Sequence, residues 1–113
     1  MTMDQTTDAG VTVLAPTAEA LGGPEGTALA EALRALGAPV QAVVDLSAVR
    51  HMNSSGLGML VGAMTTARRA GGDVRLARLS ERLETLLRTT RLLSVFETFE
   101  TVEEGVASFS EGV

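Results

Sequence analysis

Cysteine is absent from the 113 residues, which excludes disulfides, thiol catalysis and thiolate metal sites. Tryptophan and tyrosine are absent as well and there are three phenylalanines, so a core has to be built from Leu, Val, Ala and Met. His51 is the single histidine, too few for a zinc site or a two-histidine proton relay. There is no lysine, and all nine basic residues are arginine; we take this as a trait of genome composition and attach no function to it. The longest apolar stretch, Leu57 to Met64, falls far short of the roughly 20 residues a membrane-spanning helix requires. The N-terminus lacks the basic region and apolar run of a signal peptide. The expectation is a soluble cytoplasmic protein with no membrane insertion.

What is present suits one domain over residues 1–113, large enough for its own core and too small for two. The net charge of −5 is unevenly spread: residues 1–49 carry one Arg and six acids, residues 50–91 eight Arg and three acids, and residues 92–113 five acids and no base. An acidic chain is a poor candidate for direct nucleic-acid binding. The Arg-rich middle suits an acidic partner as a whole, while its arginines taken singly read as solvated helix faces, as does the acidic stretch from Glu97 to Glu111.

Along the chain, Thr2 to Thr7 reads as a first edge strand, Asp8-Ala9-Gly10 as a turn, and Val11 to Leu14 as a strand ended by Pro16. Leu21-Gly22-Gly23-Pro24 is a break, with Pro24 suited to the first position of a helix that carries Leu29, Leu33 and Leu36 on one face and ends at Gly37 as its cap. Val40 to Leu46 is an apolar run of the kind found in a strand buried on both faces. Leu57, Leu60, Val61, Met64 and Ala67 mark the inner face of the next helix, stopped at Gly71-Gly72; Met59 and Thr66 fall off that face, and Gly58 and Gly62, four apart, are expected at a close helix contact. Val74 to Ala77 is a short strand. Ser80 caps a helix bearing Leu83, Leu86 and Leu87, with Glu84 and Arg88 paired at i, i+4. Ser94 to Phe99 is a connector or a short last strand, and Thr101 to Glu104 fits a capping box opening a helix with Val102, Val106 and Phe109 inward. The alternation of strands and helices implies an α/β fold, a mostly parallel, mixed sheet covered by about four helices.

The chain is organised around residues 43–60. After the buried strand, Asn53, Ser54 and Ser55 stand directly before an apolar-periodic segment, so two small hydroxyls sit at a strand-to-helix corner where N-caps are expected and free N–H groups favour an anion. Asp45-Leu46-Ser47-x-Val49-x-x-Met52-Asn53-Ser54-Ser55-Gly56-Leu57-Gly58 resembles the STAS-domain family of bacterial anti-sigma factor antagonists, and the likeness extends more loosely from Val11 to Phe109. The resemblance implies a small mixed sheet with helices packed about it, no cofactor and no catalysis. It implies a module that binds a cognate anti-sigma factor, typically a serine kinase with a GHKL-type ATP site, and thereby frees a sigma factor. Phosphorylation by that kinase at the first Ser of the family's Asp-Ser-Ser/Thr-Gly run, here Ser54, releases the partner, and a phosphatase resets the cycle. The partner-binding residues implied are Asn53, Ser54, Ser55 and Gly56, to which the exposed Met59 is added because Met adapts to partner surfaces.

Two departures stand out: Asn53 occupies the position that is usually Asp, and the acid of the family's Gly-x-Leu-Asp pattern is missing from the matching run Ala18-Glu19-Ala20-Leu21. They give weight to an alternative, a STAS docking subunit of a phospholipid-transport ABC system or of a stress-signalling scaffold, without a phosphate cycle. The plainest reading of either serine is a helix cap, and physics without the resemblance favours it. A serine hydrolase is not expected, because Met52 and Gly56 flank Ser54 where a nucleophile elbow has a glycine on both sides, and nothing positions His51 as a base. Nor is a dinucleotide loop, because the glycines at 56, 58 and 62 fall inside the helix and not before it.

Overall fold

The computed structural model describes residues 3–110; Thr2 and Glu111 of the expected first strand and acidic stretch lie outside them. Strand β1 (Met3–Asp8) reverses at Ala9 and Gly10, both with positive φ, into β2 (Val11–Pro16). Positive φ at two successive residues is what a tight hairpin connection requires. The two strands pair antiparallel along their whole length, Met3 opposite Pro16 and Asp8 opposite Val11. β1 is the sheet edge, and its Asp4 and Asp8 are charges of the sort that discourage pairing with another chain.

The chain continues through β3 (Ala20–Leu21), α1 (Gly23–Arg34), β4 (Gln41–Asp45), β5 (His51–Met52), α2 (Ser54–Arg69), β6 (Asp73–Ala77), α3 (Glu81–Thr89), β7 (Thr98–Phe99) and α4 (Val102–Ser108). The main sheet has the order β1-β2-β4-β6-β7, and every pair beyond β1–β2 is parallel. β4 is central, as its apolar run requires. Its Ala42 and Val44 join the larger core with Leu29, Leu33, Leu60, Met64 and Leu83 from α1, α2 and α3. Val43, between them, points the other way into a smaller cluster with Val11, Val13, Ala77 and Val106 of α4. All three β4 residues are fully buried, which explains why the strand shows no alternation.

Some elements differ from expectation. α1 begins one residue early, with Gly22 as N-cap and Pro24 at the second helical position. It ends at Arg34 with Ala35 as C-cap in ordinary right-handed geometry, so Gly37 is not the cap. β3 and β5, read as a break and a connection, pair in parallel as a separate two-stranded sheet. Runs of two residues carry no periodicity, so only the meeting of the two segments in space reveals them. Of Ser94 to Phe99, only Thr98–Phe99 is strand; Phe96 instead is buried in the core.

Gly58 and Gly62 do not make the expected close helix contact: a Cβ on either would meet nothing within 4 Å. The close approach belongs to Gly26 and Gly56, where α1 and α2 cross. A Cβ on Gly26 would lie 2.9 Å from the Gly56 Cα, and one on Gly56 would lie 2.1 Å from the Leu21 carbonyl oxygen.

One buried acid ties the layers together. Asp73 is 8% exposed and accepts hydrogen bonds from Arg68 Nε at 2.8 Å, Arg75 Nε at 3.0 Å and the Val74 N–H. Arg75 also donates to Ser108 Oγ and lies over the Phe109 ring at 4.0 Å, while Arg68 donates to the Val95 carbonyl.

Candidate functional site

The corner where β5 enters α2 follows from its sequence. β5 is anchored to the segment before α1: the N–H groups of Arg50 and His51 donate to the Glu19 carbonyl, and that of Asn53 to Leu21. Asn53 then has extended geometry and serves as the N-cap; its Oδ1 accepts from the Gly56 N–H at 2.8 Å, and its carbonyl from the Leu57 N–H. The cap is thus the Asn53 amide and neither serine hydroxyl, which corrects the plain reading of the serines. Ser54 and Ser55 are the first two helical residues, and both are exposed. Their N–H groups have no acceptor among the described residues, as expected for a first helical turn.

The five residues singled out from sequence therefore divide. Asn53, Ser54, Ser55 and Met59 are at the surface, with Met59 37% exposed, whereas Gly56 is buried. Gly56 shapes the site from beneath by letting α2 sit against Leu21 and α1 against α2. The first turn of α1 thereby becomes the second wall of the corner: a Cβ on Gly23 would lie 3.7 Å from that of Ser55, and one on Gly26 3.3 Å from that of Met59. Sequence pattern did not place α1 here. The available signal was the Gly22–Glu25 spacing of a capping box, of which one half forms: the Gly22 N–H donates to Glu25 Oε1 at 3.1 Å.

His51 is committed elsewhere. Arg82 Nη1 donates to its Nδ1 at 2.8 Å across a polar depression that Ser47, Arg50 and Ser80 also line. A guanidinium only donates, so that nitrogen carries no proton. Among the described residues the Ser54 hydroxyl has no hydrogen-bonded base, and no group of three His, Asp or Glu side chains is placed to hold a metal ion. Beyond the corner, the outer surface of α2 runs through the exposed Gly58, Met59, Gly62 and Thr66 and is uncharged until Arg68 and Arg69. Chemically the arrangement offers an acceptor hydroxyl over the positive end of a helix, and beside it a smooth neutral face.

Among the described residues, a five-stranded mixed sheet with four helices, and such a serine corner at the head of the second helix, define a small α/β fold. The chain belongs to the STAS domain family, whose model matches residues 3–105. It is 38% identical over 63 residues to the anti-sigma-B factor antagonist of Bacillus subtilis (strain 168), a match covering 56% of this chain and 58% of that protein. The chain thus aligns with little more than half the length of that relative. The STAS-domain anti-sigma-factor antagonist structure from Planctomyces limnophilus superposes with a TM-score of 0.84 at 23% identity, over 96% of this chain and 98% of the other. The Bacillus cell fate determinant SpoIIAA in its phosphorylated form superposes with a TM-score of 0.71 at 16% identity, over 96% and 99% of the two chains. Both structural matches establish the shared fold. No helix among the described residues is long and apolar enough to cross a membrane.

Proposed function

We propose that this chain is an anti-sigma factor antagonist of the cytoplasm. It binds a cognate anti-sigma factor through the Ser54 corner and the outer face of α2, and phosphorylation of Ser54 releases it. The chain is the substrate and binding module of this cycle, with catalysis supplied by its partners. The kinase transfers the γ-phosphoryl of ATP to Ser54 Oγ, the hydroxyl loses its proton, and ADP leaves; a phosphatase hydrolyses the ester to restore the serine. The observation that carries the reading is Ser54 itself, exposed at the first helical position with no acceptor for its N–H among the described residues, and set in a run that resembles the motif of anti-sigma factor antagonists within the matched STAS domain.

The geometry favours Ser54 over Ser55 as the acceptor. Ser55 lies against the first turn of α1, whereas Ser54 is the first residue of the helix. A phosphate adds about −1.5 to −2 charges at neutral pH. The helix end tolerates that charge through its unpaired N–H groups. A partner surface fitted to a neutral hydroxyl does not, and this difference is the switch. The test is incubation with the anti-sigma serine kinase of the same genome and ATP, followed by mass spectrometry. One phosphate on Ser54 is expected, lost in Ser54→Ala and retained in Ser55→Ala, with Ser54→Asp failing to bind the kinase. Phosphate on Ser55 alone overturns the residue assignment. An unlabelled wild type that still binds, with labelling restored by Asn53→Asp, identifies the alternative docking module that has no switch.

A further inference from the structure

α1 and α2 press together near their first turns, where a Cβ on Gly26 would lie 2.9 Å from the Gly56 Cα. Between their last turns they leave an open groove of about 280 Å³. Leu33, Leu36 and Val40 line it from α1 and the segment after it, and Ala63, Ala67 and Ala70 from the end of α2. The alanine methyl groups are too short to close it. The groove runs on from the outer face of α2, because Thr66 is exposed on that face and also lines the groove. From Ser54 to Thr66 the helix rises about 18 Å. A strip of that length and about 10 Å wide covers roughly a quarter of the ~800 Å² that each partner buries in a standard interface, so a stable complex needs surface beyond it. Arg34 is the one charged residue that lines the groove, and it has no acidic partner among the described residues. Arg69, next to Ala70 in the chain, has none either. A cation is ordinary in the last turn of a helix. Beside an apolar groove it also favours an anionic neighbour.

We propose that this groove receives an apolar side chain of the anti-sigma factor, carried on a segment whose acid reaches Arg34. The docking surface then extends from the Ser54 corner along α2 to its far end. An apolar anchor seated in a pocket is where interfaces concentrate their binding energy. The inference rests on the reading of the chain as an anti-sigma factor antagonist. Other occupants fit less well. A small molecule would find only Arg34 and the Thr66 hydroxyl as polar side chains to orient it. A second copy, docked groove to groove about a two-fold axis, would bring Arg34 towards its own counterpart with no acid in the lining between them.

The test is a calorimetric titration with the anti-sigma serine kinase of the same genome, without ATP, on the wild type and two variants. Ala70→Leu fills the groove from an exposed position, and Arg34→Gln removes its charge while keeping a long side chain. Both positions are exposed, so both variants should melt within a few degrees of the wild type. Each should bind the kinase at least about fivefold more weakly. The loss in Arg34→Gln should shrink in about 0.5 M salt, and the loss in Ala70→Leu should not. In the wild type, the methyl signals of Leu33, Leu36 and Val40 should shift when the kinase is added. Wild-type affinity in both variants, with those signals unmoved, overturns the proposal and leaves the Ser54 corner standing. A wild type that does not bind the kinase overturns the proposal together with the reading beneath it. Self-association of the wild type that is lost in Ala70→Leu makes a second copy the occupant and overturns the proposal as well.

Discussion

Single residues decide how closely the two helices of the corner approach, and glycines with similar surroundings in the sequence have opposite roles. Gly56→Ala places a methyl group 2.1 Å from the Leu21 carbonyl oxygen, so β3 or α2 has to move. Overpacking against backbone should cost about 3 kcal/mol in urea denaturation. Gly62→Ala, on the same helix, places its methyl group with nothing within 4 Å and should gain about 0.5–1 kcal/mol through helix propensity. Similar effects at the two positions would show that the crossing is not where the structure puts it. Asn53→Ala removes the acceptor for the Gly56 N–H and should cost about 1 kcal/mol, whereas Asn53→Asp keeps the cap and should be close to neutral in the same assay. Capping therefore accounts for Asn53 without invoking the partner. The sequence showed a polar trio before a helix, but which member turns inward to cap depends on the backbone angle at which β5 delivers it.

At the scale of the element, α2 is a helix with two separable faces. Leu60 is 2% exposed and points into the core, so Leu60→Asp buries an unpaired carboxylate and should cost about 4 kcal/mol or more, seen as a lost or strongly lowered melting transition. Met59, one residue earlier, is 37% exposed. Met59→Arg should leave Tm within a few degrees of wild type and weaken binding of the anti-sigma partner in a titration; parallel loss of both would make Met59 a core residue. The inner face was legible because its apolar residues recur at helical spacing. The smooth outer face was legible as composition and was misread as packing, because a glycine pair at i, i+4 looks the same whether a helix or solvent lies over it.

Across the whole molecule, the sheet is closed on one side by α1, α2 and α3 and on the other by α4, and Asp73 holds the end of α2, the start of β6 and the α4 layer together. Asp73→Ala strands Arg75, whose side chain is only 21% exposed, and should cost about 3 kcal/mol in thermal or urea melts, the low end for a broken buried pair because Arg68 is more open to solvent. Arg88→Ala, which removes the exposed pair with Glu84, should change stability by less than about 0.5 kcal/mol. A comparable loss at both would mean that burial at Asp73 does not set the strength of the pair. The sequence by itself determined the α/β class, the central buried strand, the four helices and the serine corner, because each is written in local patterns: an unbroken apolar run, helical spacing, and capping residues beside it. Only the tertiary structure decided that Asn53 and neither serine is the cap, that β3 and β5 pair, and that the first turn of α1 walls the corner. Those features arise from the angle at which two helices cross over Gly26 and Gly56, and contacts between residues some thirty positions apart leave no periodic trace along the chain.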